Sequence, residues 1–331
     1  EAISGKVVYV EDSRTDPRVR YPAQARKEGI VSALVAGMIY RGRPVGVMRI
    51  YTGQRYRFSA FERSLLQALA SQAAAAIVNA QLHAEALEAE RYQRQIQYAG
   101  QVQRRMIPAR APAHHRLQIG CVYDPMMELG GDFYDFLELG QGDLGLVIAD
   151  VVGKGVAASL MMASVRSALR TAAQEIYDLD KVMARANRQL CHDTLISEFA
   201  TVFYGVINPD ATRLTYCNAG HDPPLLLRDG QFQSLETGGM VIGVRPDERY
   251  EKGVVHLRPG DLLVLYTDGL VEATNFQHQW FGRQNLRRSI LRYRQLDAQE
   301  LAQQLLWDVR RFVGLADRID DITLVAVKVC G

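Results

Sequence analysis

The sequence predicts an α+β protein: a β-sandwich with helices on its outer faces, preceded by a long helix and a small α/β segment. Three observations carry that reading. Beyond residue 108, short apolar strand patterns far outnumber long helical ones. From Ser59 to Ile107 a helical pattern runs without a proline, and Pro108 stops it. Four apolar strand patterns carry an aspartate at or beside one end, an arrangement that exposed turn aspartates do not need.

Taken in order, Lys6–Val10 reads as a strand and Glu11–Arg18 as a polar loop. Ser32–Tyr40 and Pro44–Tyr51 read as a hairpin across Arg41-Gly42-Arg43. Three strands are too few to bury a sheet unaided, so they read as the second half of a small α+β domain. Ser59-Ala60-Phe61-Glu62 is a capping box, with Ser59 accepting from the third amide and Glu62 reaching back. The helix it opens would be on the order of 70 Å long at about 1.5 Å per residue. Leu66, Leu69, Ala73, Ile77, Ala80, Ala84 and Leu87 form an apolar stripe, which skips and resumes at Tyr92, Ile96, Ala99, Val102 and Met106. A stripe this long predicts a coiled coil, and hence a homodimer, over a monomeric helix lying on its own domain. The skip, followed by Gly100, marks an expected weak joint, because glycine costs about 1 kcal/mol against alanine inside a helix. Gly100→Ala would then stiffen the linker with little change in stability.

Further strands are expected at Leu117–Tyr123, Leu144–Ala149, Ala200–Ile207, Leu214–Asn218, Leu225–Leu227, Gly253–Leu257, Asp261–Thr267 and Ile322–Val329. Helices are expected at Gly155–Glu175, Asp178–Leu195 and Asp297–Gly314. The aromatics of Phe133-Tyr134-Asp135-Phe136 suit a strand.

Composition narrows the function. With 331 residues, 48% of them apolar, the chain can bury a large core and is expected to hold two domains. A formal net charge of +2, with basic residues spread out, implies no nucleic-acid surface. No apolar run reads as long enough to span a bilayer; Ala68–Ala80 comes nearest, but Ser71, Gln72 and Asn79 interrupt it. Cys121, Cys191, Cys217 and Cys330 lie far apart, so neither a disulfide framework nor a zinc site is expected, and a reducing cytoplasm is the natural setting. Residue 1 is Glu and no signal-peptide pattern follows, so the sequence reads as a fragment that starts upstream.

The chemistry lies at the strand ends. Asp132 follows Gly130-Gly131, Asp150 ends the run Leu146-Val147-Ile148-Ala149, Asp268 follows Tyr266-Thr267, and Asp320-Asp321 precede Ile322. Alone, each reads as a turn or N-cap residue. Together they would repel unless a cation compensated them, and oxygen ligands without His or Cys select magnesium or manganese over zinc. Gly153-Lys154-Gly155 lacks the rest of a Walker A pattern, which argues against a nucleoside triphosphatase.

Two resemblances add to this. "VVYVEDSRTDPRVRYP", "GIVSALVAGMIYRGRPVGVMRIYT" and "RFSAFERSLLQALASQAAAAIVNAQL" resemble the C-terminal half of a GAF sensory domain. "MMELGGDFYDF", "IADVVGKGVAASLMMA", "FATVFYGVI", "YCNAGHDPPLLL", "GGMVIGV", "LVLYTDGLVEATN" and "RIDDITLVAVKV" resemble, in order, the motifs of SpoIIE/RsbU-type serine phosphatases of the PPM (PP2C-like) class. That resemblance implies a β-sandwich flanked by helices, with two Mn²⁺ or Mg²⁺ ions at one edge that activate a water for attack on a phosphoserine or phosphothreonine. By position Asp150 would bridge the ions, the Val151 carbonyl would complete one shell, Asp132 would serve one ion, and Asp268 and Asp320 the other. Asp135 and Asp321 would support them. Val152 stands where eukaryotic relatives have histidine, which leaves the general acid unassigned. His221 reads as a turn-shaping residue rather than a catalyst.

The implied division is a partial GAF-like domain (1–57), a helical linker (58–107) and a phosphatase domain (108–331). The implied substrate is a phosphorylated anti-anti-sigma protein of the STAS type. The rival reading is a catalytically silent, dimeric phosphoprotein-binding module.

Overall fold

Where a strand is apolar on alternate residues one face is buried; where every residue is apolar both faces are covered. Both patterns occur in this computed structural model, which describes residues 2–331. The chain divides into two compact units, the break falling between Arg94 and Gln95.

The first unit has β1 (Val8–Val10), α1 (Pro22–Lys27), β2 (Ser32–Tyr40) and β3 (Arg43–Thr52), with the strands forming an antiparallel sheet in the order β1-β2-β3. Arg41 and Gly42 both take positive φ, 45° and 79°, as a two-residue turn matched to strand twist requires. Next comes α2 (Ala60–Met106). Its capping box is closed: the Glu62 amide donates to Ser59 Oγ at 3.2 Å and the Ser59 amide to Glu62 Oε2 at 2.7 Å. Leu66 and Ala70 bury against Leu34, Ala36 and Phe58, whereas Leu69, Ile77, Leu87 and Tyr92 are exposed. One 18-residue window of α2 is long and apolar enough to cross a membrane by length and composition. This corrects the expectation that no run is; alanines outweigh the few polar breaks.

The second unit holds the remaining elements: β4 (Leu117–Asp124), β5 (Phe133–Glu138), β6 (Leu144–Val151), α3 (Gly155–Glu175), α4 (Leu179–Asp193), β7 (Ala200–Ile207), β8 (Arg213–Ala219), β9 (Leu225–Arg228), β10 (Gln231–Ser234), β11 (Gly238–Gly239), β12 (Gly253–His256), β13 (Leu262–Tyr266), α5 (Asp268–Val271), α6 (Gly282–Tyr293), α7 (Ala298–Val313) and β14 (Ile322–Val329). One sheet runs β10-β9-β13-β14-β4; the other runs β11-β8-β7-β6-β5, with β12 also on β8. Burial on both faces explains the largely apolar runs of β13 and β14. Leu263, Leu265, Val325 and Val327 face the core shared with the other sheet, while Leu262, Val264, Tyr266, Leu324 and Ala326 face the core built with α6 and α7. Helices α3 and α4 cover the other sheet through Met162, Val165, Leu169, Val182, Met183 and Leu190. Helix α6 was not expected. Its stretch is strongly basic and buries only Leu286, Ser289 and Ile290, too few apolar residues to advertise a helix.

The last turns of α2 belong to this second unit, and there Gly100 is buried rather than a weak joint. A Cβ at Gly100 would stand 2.2 Å from the Glu128 carbonyl oxygen, so glycine is what lets the helix approach that loop. One turn on, the Gln103 amide clasps Gly130 from both sides, donating to its carbonyl at 2.7 Å and accepting from its N–H at 3.1 Å. The expectation that Gly100→Ala leaves stability nearly unchanged is therefore replaced. The substitution should lower the stability of the second unit by about 1–3 kcal/mol, as overpacking does, read as a lower urea midpoint at constant slope. An unchanged midpoint would contradict the close approach.

Candidate metal centre

Strand pairing decides which acids meet. Phe133 of β5 pairs with Ala149 of β6, which puts Asp132 beside Asp150. Tyr266 of β13 pairs with Leu324 of β14, so the chain beyond β13, carrying Asp268, runs beside the residues ahead of β14, Asp320 and Asp321. Thr267, fully buried, ties the two sheets together at this edge. Its hydroxyl donates to Asp132 Oδ2 at 2.6 Å and accepts from the Thr323 amide at 3.0 Å. Two glycines allow the approach. A Cβ at Gly131 would lie 2.8 Å from the Val151 carbonyl oxygen, and one at Gly269 would lie 1.9 Å from the Asp321 carbonyl oxygen.

The electrostatics follow from that crowding. Burial, then the Asp150 charge, raises the Asp132 carboxyl well above the usual range. Burial, then Asp268, pushes Asp150 up to about 7. Burial, then Asp320, pushes Asp268 up to about 6. Asp320 is half-exposed and paired with Lys154 Nζ at 3.0 Å; the same ammonium donates to the Ile319 carbonyl. Among the described residues no three His, Cys, Asp or Glu side chains stand together as a ready-made metal cage. The donor chemistry nevertheless fits a hard divalent cation: oxygen donors only, each raising the other's protonation, with Val151 offering a backbone carbonyl at the same edge.

The supporting acids differ from these. Asp135 points away from the edge. Arg170 grips it through Nε at 2.5 Å and a terminal nitrogen at 2.6 Å, and Arg166 adds a contact at 3.0 Å. Its charge is compensated by these two arginines. Asp321 accepts from the Met126 and Gly131 amides at 2.7 and 2.9 Å and so holds the loop that delivers Asp132. His221 is buried and driven down to about 4 by that burial. Its backbone is clasped by the Asn218 side chain at 2.7 and 2.9 Å, as a turn-shaping residue requires, and its Nδ1 lies 2.8 Å from Thr201 Oγ1. Lys154, Thr267 and Gln103 escaped sequence reasoning, because each acts across a long sequence separation that no local pattern records.

Residues 140–330, more than half of the chain, match the family described as Stage II sporulation protein E (SpoIIE). The chain belongs to the SpoIIE family. The match starts after Asp132, and residues 2–78 match the GAF domain. The phosphoserine phosphatase RsbU of Bacillus subtilis is 29% identical over 236 residues, 71% of this chain and 70% of its own length. IcfG of Synechocystis is 31% identical over 69% of this chain, which spans only 40% of that relative. Among solved structures, the SiaA-PP2C domain of Pseudomonas aeruginosa has a TM-score of 0.65 at 21% identity, covering 73% of this chain and 98% of its own. RsbX in complex with magnesium has a TM-score of 0.50 at 16% identity, covering 66% and 98%. The second unit thus has the PP2C fold, and the chain is a PPM-type phosphatase.

Two outcomes are expected. Asp135→Asn should destabilise the second unit by about 3 kcal/mol, since two partly buried arginines lose their counter-charge, while leaving magnesium affinity by calorimetry unchanged. The second concerns pH. Asp132, Asp150 and Asp268 have folded pKa values above their unfolded ones, so the folded state binds more protons and stability falls as pH rises through the folded values. The melting temperature of the cation-free protein should therefore drop between about pH 6 and 8, and Mg²⁺ should restore more of it at pH 8 than at pH 6. His221 acts in the opposite sense, but only below its ordinary value. A melting temperature flat across that window would contradict the coupling.

Proposed function

We propose that this SpoIIE-family chain hydrolyses a phosphoserine or phosphothreonine on an anti-anti-sigma (STAS-domain) protein with the help of two divalent cations, Mg²⁺ or Mn²⁺. The observation that carries the reading is the convergence of Asp132, Asp150, Asp268 and Asp320 from two sheets on one edge. Asp150, the Val151 carbonyl and Asp132 would hold one ion, with Asp150 shared, and Asp268 and Asp320 the other. Bound there, such ions supply positive charge to phosphoryl oxygens and acidify water at neutral pH. The chain's own residues set the stage. Thr267 fixes one Asp132 oxygen. Asp321 fixes the backbone ahead of it. Neutral His221, with Thr201, shapes the adjoining wall.

Phosphoserine is carried over from RsbU, and the STAS-type substrate from the likeness of the motifs. The exposed stripe on α2 supports a parallel homodimer through that helix, with its last turns acting on the phosphatase unit through Gln103 and Gly130. The free thiols support a cytoplasmic setting. One observation favours the rival reading of a silent phosphoprotein-binding module: Lys154 already neutralises Asp320.

Hydrolysis of an aryl phosphate decides between the two. The purified chain should turn it over only with Mn²⁺ or Mg²⁺, lose activity reversibly in EDTA, and release phosphate from a phosphorylated STAS protein. Asp150→Asn should reduce turnover by at least about a thousandfold with the melting curve preserved. Near-normal turnover of that variant at saturating Mn²⁺ would sink the assignment.

A further inference from the structure

Beside the acidic edge lies a cleft of about 440 Å³, bounded by Asp150 and Asp268. Asp222, Glu236 and Glu272 add three carboxylates to its wall. A phosphoryl group brings up to two negative charges, so such a wall repels it except where a cation stands. Among the described residues lining the cleft, Arg283 is the one cation.

Arg283 sits in the first turn of α6 and pairs one terminal guanidinium nitrogen with Asp222 Oδ1. The arginine side chain is 58% exposed and Asp222 only 14%, so the guanidinium leans out while its partner is held in the wall. Contact with one Asp222 oxygen and with the Tyr266 hydroxyl still leaves donors of the five-donor fork unused, and that fork matches two oxygens of a phosphoryl group. An ion pair this exposed is weak, so exchange for a dianion is easy. His221, 4% exposed, lines the same cleft and is held by Thr201 through Nδ1 and by the Tyr266 backbone, so it adds no second cation to the wall.

We propose that Arg283 is the phosphoryl-recognition residue of this site: it exchanges its bond to Asp222 for paired bonds to phosphoryl oxygens of the phosphoprotein. Asp222 is then a positioning residue that holds the arginine at the cleft and competes with the phosphoryl group for it. The inference rests on the phosphatase reading and names the group that recognises its substrate. The surrounding carboxylates make the recognition selective, since a single cation among acids accepts an anion at one place only.

The test uses the full chain with saturating Mn²⁺ and inorganic phosphate as the probe. Calorimetry should give phosphate affinity about tenfold weaker in Arg283→Ala, the loss of one charge-assisted contact, and partly recovered in Arg283→Lys. Asp222→Asn, which releases the arginine, should bind phosphate severalfold more tightly. KM for aryl phosphate should move in step, with kcat within about threefold, because the contact is made before the chemical step. Both positions are at the surface of the cleft, and melting curves check that each variant is folded. Phosphate affinity indifferent to Arg283→Ala, or weakened equally by Asp222→Asn, overturns the inference while leaving metal-dependent turnover, and so the phosphatase reading, intact. Arg283-dependent phosphate binding without metal-dependent turnover would do the reverse.

Discussion

The second unit depends on holding like charges together. Asp132 and Asp150 come from neighbouring strands of one sheet, Asp268 and Asp320 from the ends of neighbouring strands in the other. Left to themselves these carboxylates would drive the edge of the sandwich apart. The Thr267 hydroxyl prevents it, because it serves both sheets at once: donor to Asp132, acceptor from the Thr323 amide. A fully buried hydroxyl with both roles used has no freedom left to relax. The sandwich core on either side, Leu263, Leu265, Val325 and Val327 facing the opposite sheet, supplies the rigidity that such a tether needs.

What separates the acids of this edge from other buried acids is who neutralises them. Asp135 is as buried as Asp132, yet two arginines compensate it. Asp261 has Arg228 at 2.5 Å. Asp321 has two backbone amides. Asp132 has one hydroxyl and another carboxylate nearby, and its protonation rises accordingly. The uncompensated acids are therefore the ones with affinity to spare for a cation. Lys154 shows the same logic at the rim, where the half-exposed Asp320 takes an ammonium from the loop entering α3.

Much of this was legible in the sequence because it is local. The runs Leu144–Ala149, Leu262–Tyr266 and Leu324–Val327 are apolar, since both faces of each strand are covered, and an aspartate stands within three residues of an end of each run. The capping box at Ser59 and the turn at Arg41-Gly42 are likewise written in a few adjacent residues. Helix α6 was not legible, because a basic stretch with few apolar anchors reads as surface until the sheet it covers is known. Nor was Gly100. Inside a helix, a glycine set for close approach and a glycine that weakens the helix look the same; only the Glu128 carbonyl tells them apart. Gln103, Thr267 and Arg283 share that property, being ordinary polar residues given meaning by partners far along the chain.

One continuous path of short contacts follows from these placements. The last turns of α2 hold Gly130 through Gln103, Gly130 precedes Gly131, and Gly131 donates to Asp321 while leaving room for the Val151 carbonyl. Asp132 is the next residue. The position of a buried carboxylate is thus set from one side by a helix end, from the other by the strand end that carries Asp268, and from below by the carbonyl that follows Asp150. The links from the helix end are the Gln103 side-chain amide on the Gly130 backbone and the Asp321 carboxylate on the Gly131 amide, both within two residues of Asp132. The pair of glycines is what makes this coupling tight: a side chain at either would hold apart the groups that now restrain Asp132.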